Sequence, residues 1–153
     1  MDNLKLAEIL FPNLSLTVDD IEAKYPQRQL ASGAMVTRLA PSPTGFIHLG
    51  NLYGAYADMK LANQSGGVFY LRIEDTDEKR EVPGAVEEII NGLKYFGVDF
   101  DEGALIDGEK GAYGPYRQSA RKELYQVYAR ELVKKGLAYP CFCTEEDLAE
   151  IRN

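Results

Sequence analysis

One stretch, residues 35–65, constrains the fold of this chain more than any other. It opens with a short apolar run, Met35 to Ala40, of the kind that forms a strand. The run is broken by residues that do not continue a strand, Pro41, Pro43 and Gly45. A long segment with helical character, Leu52 to Ala62, comes next. This order of strand, tight turn and helix predicts an anion site, because free N–H groups and the positive end of the helix dipole face whatever lies above the turn.

A second strand and helix follow the first pair and indicate the fold class. Residues 67–73 contain the β-prone run Val68 to Leu71, which reads as a strand buried on both faces. Residues 83–96 form the next predicted helix, with Pro83 in its first turn. Strands joined by helical crossovers predict parallel pairing. We therefore expect an α/β protein with a Rossmann-like, doubly wound parallel sheet.

The remaining segments suggest three regions. Residues 1–34 are predicted to be a helical N-terminal extension that packs on the main domain, with a second helix from Val18 to Tyr25 capped by Thr17 and Asp20. Residues 35–140 are assigned to the Rossmann-like domain. They include an irregular stretch (103–115) and a helix from a Ser119 cap to Lys135, and a predicted strand, residues 137–142, crosses the end of this region. Residues 141–153 are expected to begin a further insertion that is cut short, with a helix that opens at Thr144.

The predicted helix of residues 119–135 has one mostly apolar face. We expect that face to pack on the core and to consist of Leu124, Val127, Tyr128, Glu131 and Leu132. Lys134, Lys135 and Gly136 provide the cations and the glycine that are typical of a helix end.

Composition limits the location and partners of the chain. It has 153 residues, 45% of them hydrophobic, which suits one globular domain. No apolar run approaches the length of a membrane span, and the N-terminus lacks the pattern of a signal peptide, so we expect a cytoplasmic protein without a membrane partner. The net charge of −7 argues against strong, nonspecific RNA binding.

Two motifs together carry a family resemblance. The first is Arg38-Leu-Ala-Pro-Ser-Pro-Thr-Gly-Phe-Ile-His-Leu-Gly-Asn51, and the second is Arg72-Ile-Glu-Asp-Thr-Asp77. The first resembles the signature of class I aminoacyl-tRNA synthetases, with His48-Leu-Gly-Asn51 in the place of the "HIGH" tetrapeptide. Both motifs together resemble those of glutamyl-tRNA synthetases, and the likeness runs from about Thr37 to the end of the chain. It implies ATP-dependent activation of glutamate and its transfer to the acceptor end of tRNA(Glu), with Mg²⁺ as cofactor.

The resemblance also implies roles for individual residues. The catalytic tetrapeptide contributes His48, Gly50 and Asn51, where Asn51 replaces the usual final histidine. The ATP-binding set is Pro41, Ser42, Pro43, Thr44, Gly45, His48, Gly50 and Asn51. The glutamate-binding set is Arg38, Ala40, Ser42 and Glu74, in which Arg38 takes the side-chain carboxylate with support from Ser42, and Glu74 takes the α-amino group. Asp75, Thr76 and Asp77 would shape the pocket wall, and Thr76 and Arg80 would meet the tRNA.

Cys141 and Cys143 are the only cysteines, and a disulfide across one residue would be badly strained. Zinc takes thiolates readily, but a structural zinc site uses four ligands. The resemblance implies that Cys141 and Cys143 are half of a zinc site in a longer parent protein. Here they are expected to be free thiols or to bind metal weakly.

Several alternatives stay open. The second lysine-rich loop of class I synthetases, of the "KMSKS" type, has no counterpart in these residues, so we expect the piece to be weakly active or inactive by itself. A shorter relative that glutamylates a modified base of tRNA(Asp) is a close alternative. A glutaminyl enzyme is disfavoured by Arg38, which suits a carboxylate. A noncatalytic interaction module and a nucleotidyltransferase are the alternatives from other classes.

Overall fold

The computed structural model describes residues 2–152. The chain divides into two compact units, one formed by residues 2–21 with 123–152 and the other by residues 22–122. Among the described residues, no helix combines the length and apolar character needed to cross a bilayer.

The unit of residues 22–122 is built on a four-stranded sheet in the order β1-β2-β3-β4. Its strands are β1 (Val36–Leu39), β2 (Val68–Leu71), β3 (Glu102–Ala104) and β4 (Glu109–Lys110). The first three strands are parallel, with Arg38 opposite Tyr70 and Tyr70 opposite Glu102, and β4 runs antiparallel to β3. Helix α3 (Leu49–Ser65) connects β1 to β2, and α4 (Ala85–Tyr95) connects β2 to β3. The predicted α/β class with a mostly parallel sheet is confirmed.

One face of this sheet carries the hydrophobic core. Leu39 of β1 and Phe69 and Leu71 of β2 are buried, and they belong to one cluster with residues of both crossover helices. The helix residues of this cluster are Ala55, Met59, Ala62, Val86, Ile89, Ile90 and Leu93. On β2, Val68 and Tyr70 are only half-buried, so the prediction of a strand buried on both faces was wrong. On the side of Tyr70, a cavity lined mainly by arginine and tyrosine side chains leaves the strand partly open.

Glycine sets the end of α3 and the close approach of β2 to β1. Gly66 adopts a left-handed conformation (φ 67°) as the helix cap, which other residues reach only with strain. A Cβ atom on Gly67 would lie 1.8 Å from the carbonyl oxygen of Met35, so only glycine fits there. The Ser65-Gly-Gly67 run therefore fixes the start of β2 against the start of β1.

Several predicted boundaries shift. Helix α4 begins at Ala85 after the cap residue Gly84, so Pro83 precedes the helix rather than lying in its first turn. Residues 103–115 are not wholly irregular, because they contain β4 and the end of β3. Ser119 begins a short 3₁₀ helix (Ser119–Arg121), and α5 (Lys122–Lys134) starts only after it.

Arg28, which belongs to the predicted N-terminal extension, binds residues of β3 and of the segment after β4 in the same unit. Its guanidinium binds Glu102 in two-point fashion, at 2.6 and 2.5 Å, and lies 3.7 Å from the ring centre of Tyr113. The Tyr113 hydroxyl donates to the carbonyl of Pro26 (2.7 Å), and the Tyr116 hydroxyl donates to Glu102 (2.6 Å). Arg28 holds the pKa of Glu102 below its ordinary value, and burial and this hydrogen bond raise the pKa of Tyr116 to about 12.

The other unit contains helices α1 (Asn3–Leu10) and α6 (Glu145–Arg152), with most of α5 and part of α2 (Val18–Lys24). The predicted Thr17 cap of α2 is confirmed, since Thr17 and Asp20 exchange hydrogen bonds. The buried residues of α5 are Val127 and Val133, whereas Tyr128 and Leu132 are exposed, so the predicted core face was partly wrong. Residues 137–142 do not form the predicted strand.

Candidate active site

The turn after β1 and the start of α3 form an open cleft of about 290 Å³. Six of the predicted ATP-binding residues line it, together with three apolar neighbours. The six are Pro41, Ser42, Thr44, Gly45, His48 and Asn51, and the apolar neighbours are Phe46, Ile47 and Ile89. Pro43 is fully buried, and its carbonyl accepts from the N–H of Val82 (2.8 Å), so it supports the turn rather than lining the cleft.

His48 is the N-cap residue of α3. Its Nδ1 accepts from the N–H of Gly50 (3.2 Å), and the Asn51 side chain accepts from the N–H of His48 (3.2 Å). Side chains at the start of the helix thus form hydrogen bonds with its own backbone. The N–H of Gly50, which was expected to be free for a ligand, already donates to His48. Because Nδ1 is an acceptor, the neutral ring carries its proton on Nε2, which leaves one donor for a ligand in the cleft.

Gly50 lets the His48 ring lie close to the start of α3. A Cβ atom at residue 50 would lie 3.1 Å from Cε1 and Nδ1 of His48, closer than ordinary van der Waals contact. The position of the His48 ring therefore depends on the absence of a side chain at Gly50. Asn51 contacts His48 through the hydrogen bond from the His48 N–H.

Arg38 and Glu74 come together at the carboxyl ends of β1 and β2. Nη1 of Arg38 lies 3.1 Å from Oε1 of Glu74, and Nη2 of Arg72 lies 2.9 Å from the same oxygen. The side chains of Arg38, Arg72 and Glu74 are 38%, 17% and 28% exposed. The structure thus brings the predicted glutamate-binding pair together as an ion pair. Among the described residues, Ser42 makes no hydrogen bond to Arg38. Ala40, which lies between them in the sequence, is half-buried.

The two motifs are joined directly through the backbone. The N–H of Glu74 donates to the carbonyl of Pro41 (2.9 Å), and the N–H of Arg72 donates to that of Leu39 (3.0 Å). The cleft and the Arg38–Glu74 pair therefore lie on the same edge of the sheet, which is where ligands bind in open α/β folds.

The segment of residues 116–119 braces the second motif. The N–H of Ile73 donates to Tyr116, and the N–H of Gln118 donates to Ile73, both at 2.9 Å. Ser119 donates to Asp75 through its N–H and its hydroxyl. The predicted cap role of Ser119 was wrong, because its hydroxyl binds a residue 44 positions earlier. Sequence alone gave no sign of this contact.

The two residues predicted to meet tRNA lie at the exposed end of this edge. Thr76 is exposed and makes a long hydrogen bond to Gln118 (3.4 Å). Arg80 is 75% exposed and is bound to Asp77. Asp77 thus forms an ion pair with Arg80, and both side chains lie at the surface.

Cys141 and Cys143 lie between α5 and α6 and are exposed. A hydrogen bond from the backbone of Cys143 lowers the pKa of the Cys141 thiol. Within residues 2–152, no three histidine, cysteine or acidic side chains are grouped as a metal site. The two thiols can supply half of a tetrahedral zinc shell.

Comparison with known proteins decides the family. The family model for tRNA synthetases class I (E and Q), catalytic domain, matches residues 34–153. The chain belongs to this family. Its class I motifs are those that line the cleft and carry Arg38 and Glu74.

Individual relatives agree with the family. The chain is 63% identical over 153 residues to a glutamate–tRNA ligase of Acetivibrio thermocellus, covering 99% of this chain and 28% of that protein. It is 50% identical over 115 residues to a glutamate–tRNA ligase of Bacillus subtilis, covering 75% and 23%. A solved glutamate tRNA ligase from Elizabethkingia meningosepticum, in complex with its amino acid, matches with a TM-score of 0.69 and 44% identity over 78% of this chain and 23% of that one. The chain therefore spans about a quarter of the length of these relatives.

Proposed function

We propose that this chain forms part of the ATP and glutamate site of a glutamate–tRNA ligase that acts in the cytoplasm. The observation that supports the proposal is the hydrogen bond from the N–H of Glu74 to the carbonyl of Pro41, because it joins the residue that binds Arg38 to the lining of the cleft. Relatives named glutamate–tRNA ligase, at up to 63% identity, support the same assignment.

In the proposed reaction, the α-carboxylate of glutamate attacks the α-phosphorus of ATP. The bond from that phosphorus to the bridging oxygen breaks, pyrophosphate leaves, and glutamyl adenylate forms. A terminal ribose hydroxyl of tRNA(Glu) then attacks the acyl carbon and releases AMP. Neither step needs a covalent enzyme nucleophile, so the chain's contribution is positioning and electrostatic stabilisation.

Residues of the cleft would hold the nucleotide. His48 can donate from Nε2 to a phosphate oxygen, and the start of α3 favours negative charge. Thr44 and Asn51 also line the cleft and offer polar groups. Ser42 lines it as well and belongs to both predicted binding sets.

Arg38 and Glu74 would hold the amino acid. The planar guanidinium of Arg38 matches the side-chain carboxylate of glutamate, and Glu74 matches the α-ammonium group. Thr76 and Arg80, at the exposed end of the same edge, would contact the tRNA acceptor end.

The residues present allow Mg²⁺ only as a partner of the phosphates. The cleft lining contains no carboxylate, so the ion would be held by phosphate oxygens and water. Its contribution there is to neutralise phosphate charge. Cys141 and Cys143 are proposed as half of a zinc site whose other ligands lie outside these residues.

Calorimetric binding of a nonhydrolysable glutamyl-adenylate analogue tests the proposal, with the glutaminyl analogue as the matched control. Binding with a clear preference for the glutamyl form is expected. Equal binding of both forms would refute the role of Arg38, and absence of binding by the folded chain would refute the assignment of the site to these residues.

A further inference from the structure

We propose that Arg72 is a positioning residue that holds Glu74 in place when Arg38 turns from Glu74 to the substrate. The inference rests on the proposed function, since it concerns the same amino-acid site. Arg72 belongs to the second motif but to none of the binding sets that the resemblance implies.

The geometry that carries the inference is a shared oxygen atom. Arg38, in β1, and Arg72, directly after β2, approach Oε1 of Glu74 at 3.1 and 2.9 Å. Arg72 is the more buried of the two arginines, with 17% of its side chain exposed against 38% for Arg38. The exposed arginine is free to move, whereas the buried one is held by its surroundings.

The surroundings of Arg72 leave it few other roles. With Arg28, Tyr70 and Tyr116, it lines a cavity of about 230 Å³ on the half-covered face of the sheet. Its Nε is buried and has no hydrogen-bond partner, and within residues 2–152 its side-chain hydrogen bonds go to Glu74 alone. A buried cation that leaves one donor unpaired is costly, which makes its one ion pair important.

The charges explain why two arginines are needed. Without a ligand, Arg38 and Glu74 neutralise each other, and each occupies the position that a charged group of glutamate would take. When glutamate binds, its side-chain carboxylate forms an ion pair with Arg38, and its α-ammonium group forms one with Glu74. Arg72 keeps the Glu74 carboxylate paired and oriented throughout this exchange, so that the carboxylate does not have to change rotamer before it meets the ammonium.

The test measures how strongly the site senses the α-amino group. Two probes are titrated by calorimetry into the chain, the glutamyl-adenylate analogue and its counterpart without the α-amino group. In R72Q, the preference for the amino-bearing probe should fall by about tenfold, the effect of losing one charge-assisted hydrogen bond. R72K should recover part of this preference, because an ammonium still neutralises Oε1.

R28Q is the matched control. Arg28 has almost the same exposure as Arg72 (18%) and also binds a carboxylate, but it does not touch Glu74. R28Q should lower the melting temperature and leave the preference unchanged. The same loss of preference in R28Q and R72Q would overturn the inference, because general loosening would then explain both.

The remaining outcomes separate the inference from the proposed function. Wild-type chain with no preference for the amino-bearing probe would overturn both. Wild-type preference that persists in R72Q would overturn the inference alone. If R72Q does not fold, as judged by circular dichroism, R72K decides, and an unchanged preference in R72K overturns the inference.

Discussion

Ser119 binds the carboxylate of Asp75 twice, with its backbone N–H to Oδ1 and its hydroxyl to Oδ2, both at 2.8 Å. This contact joins the end of the second motif to the segment before α5. It lies one residue from Glu74, so it restrains the backbone that carries the proposed amino-acid ligand.

We expect Ser119→Ala to remove one of these hydrogen bonds. The free energy of unfolding should fall by about 1 kcal/mol, because the site is exposed and one bond remains. Urea unfolding measures this change, with Ser32→Ala as an exposed control in the same unit. An equal effect of both substitutions would contradict a specific role for the contact.

Arg38→Ala should reduce affinity for the glutamyl-adenylate analogue by about 10- to 100-fold, the range for a charged hydrogen-bonded pair. Affinity for the glutaminyl analogue should change much less. Arg38→Lys should not restore full affinity, because an ammonium lacks the two-point geometry. Equal losses for both analogues would contradict the assigned role, and ATP binding serves as the control.

Gly50→Ala should displace the His48 ring, since the new Cβ would approach it to 3.1 Å. A strained rotamer costs about 0.5–1.5 kcal/mol, so nucleotide affinity should fall by about 2- to 12-fold. Gly54→Ala is the matched control on the same helix, because a Cβ there meets nothing within 4 Å.

The control should raise the free energy of unfolding by up to about 1 kcal/mol without changing nucleotide affinity, since alanine is the better helix former. Unchanged affinity in Gly50→Ala would show that the ring adjusts without consequence for binding.

Stability should fall at acid pH through Glu102. Arg28 lowers the pKa of this carboxyl below its ordinary value of 4.5 in the folded chain. Between the lowered pKa and 4.5 the unfolded chain binds more protons, so stability rises with pH in that window and is lost as pH falls through it. Unfolding curves from pH 6 to pH 3 measure the slope.

Glu102→Gln should flatten this part of the pH profile, whereas the exposed Glu22→Gln should leave its shape unchanged. A Glu102→Gln profile that is parallel to the wild-type profile would contradict the role of the Arg28 pair.

Local signals predicted much of the fold. The Thr17 and Thr144 caps each use an aspartate three residues later, and α3 is capped by His48 at its start and by Gly66 at its end. Such contacts join residues within one helical turn. Residues that are close in the sequence are then also close in space, so the contact can be predicted from their spacing. The short β3–β4 pair was missed because strands of three and two residues have almost no periodicity.

Contacts between distant residues could not be read in the same way. The family resemblance implied that Arg38 and Glu74 belong to one glutamate-binding set, but not that they pair with each other or that Arg72 joins them. Ser119 was assigned to the nearest helix because a local cap is the simplest use of a serine. Its partner lies on another strand end, and only the folded sheet brings the two together.

The contact between Arg28 and Glu102 affects where the domain can be divided. The match to the family model begins at residue 34, yet the compact unit begins at residue 22 and uses Arg28 to neutralise a half-buried carboxylate. A shortened version for expression that starts at residue 34 would leave Glu102 without its cation and Tyr113 without its stacking partner. For this chain, a boundary placed at the start of the family-model match would cut through a folded unit, because residues 22–33 belong to the same unit as the sheet.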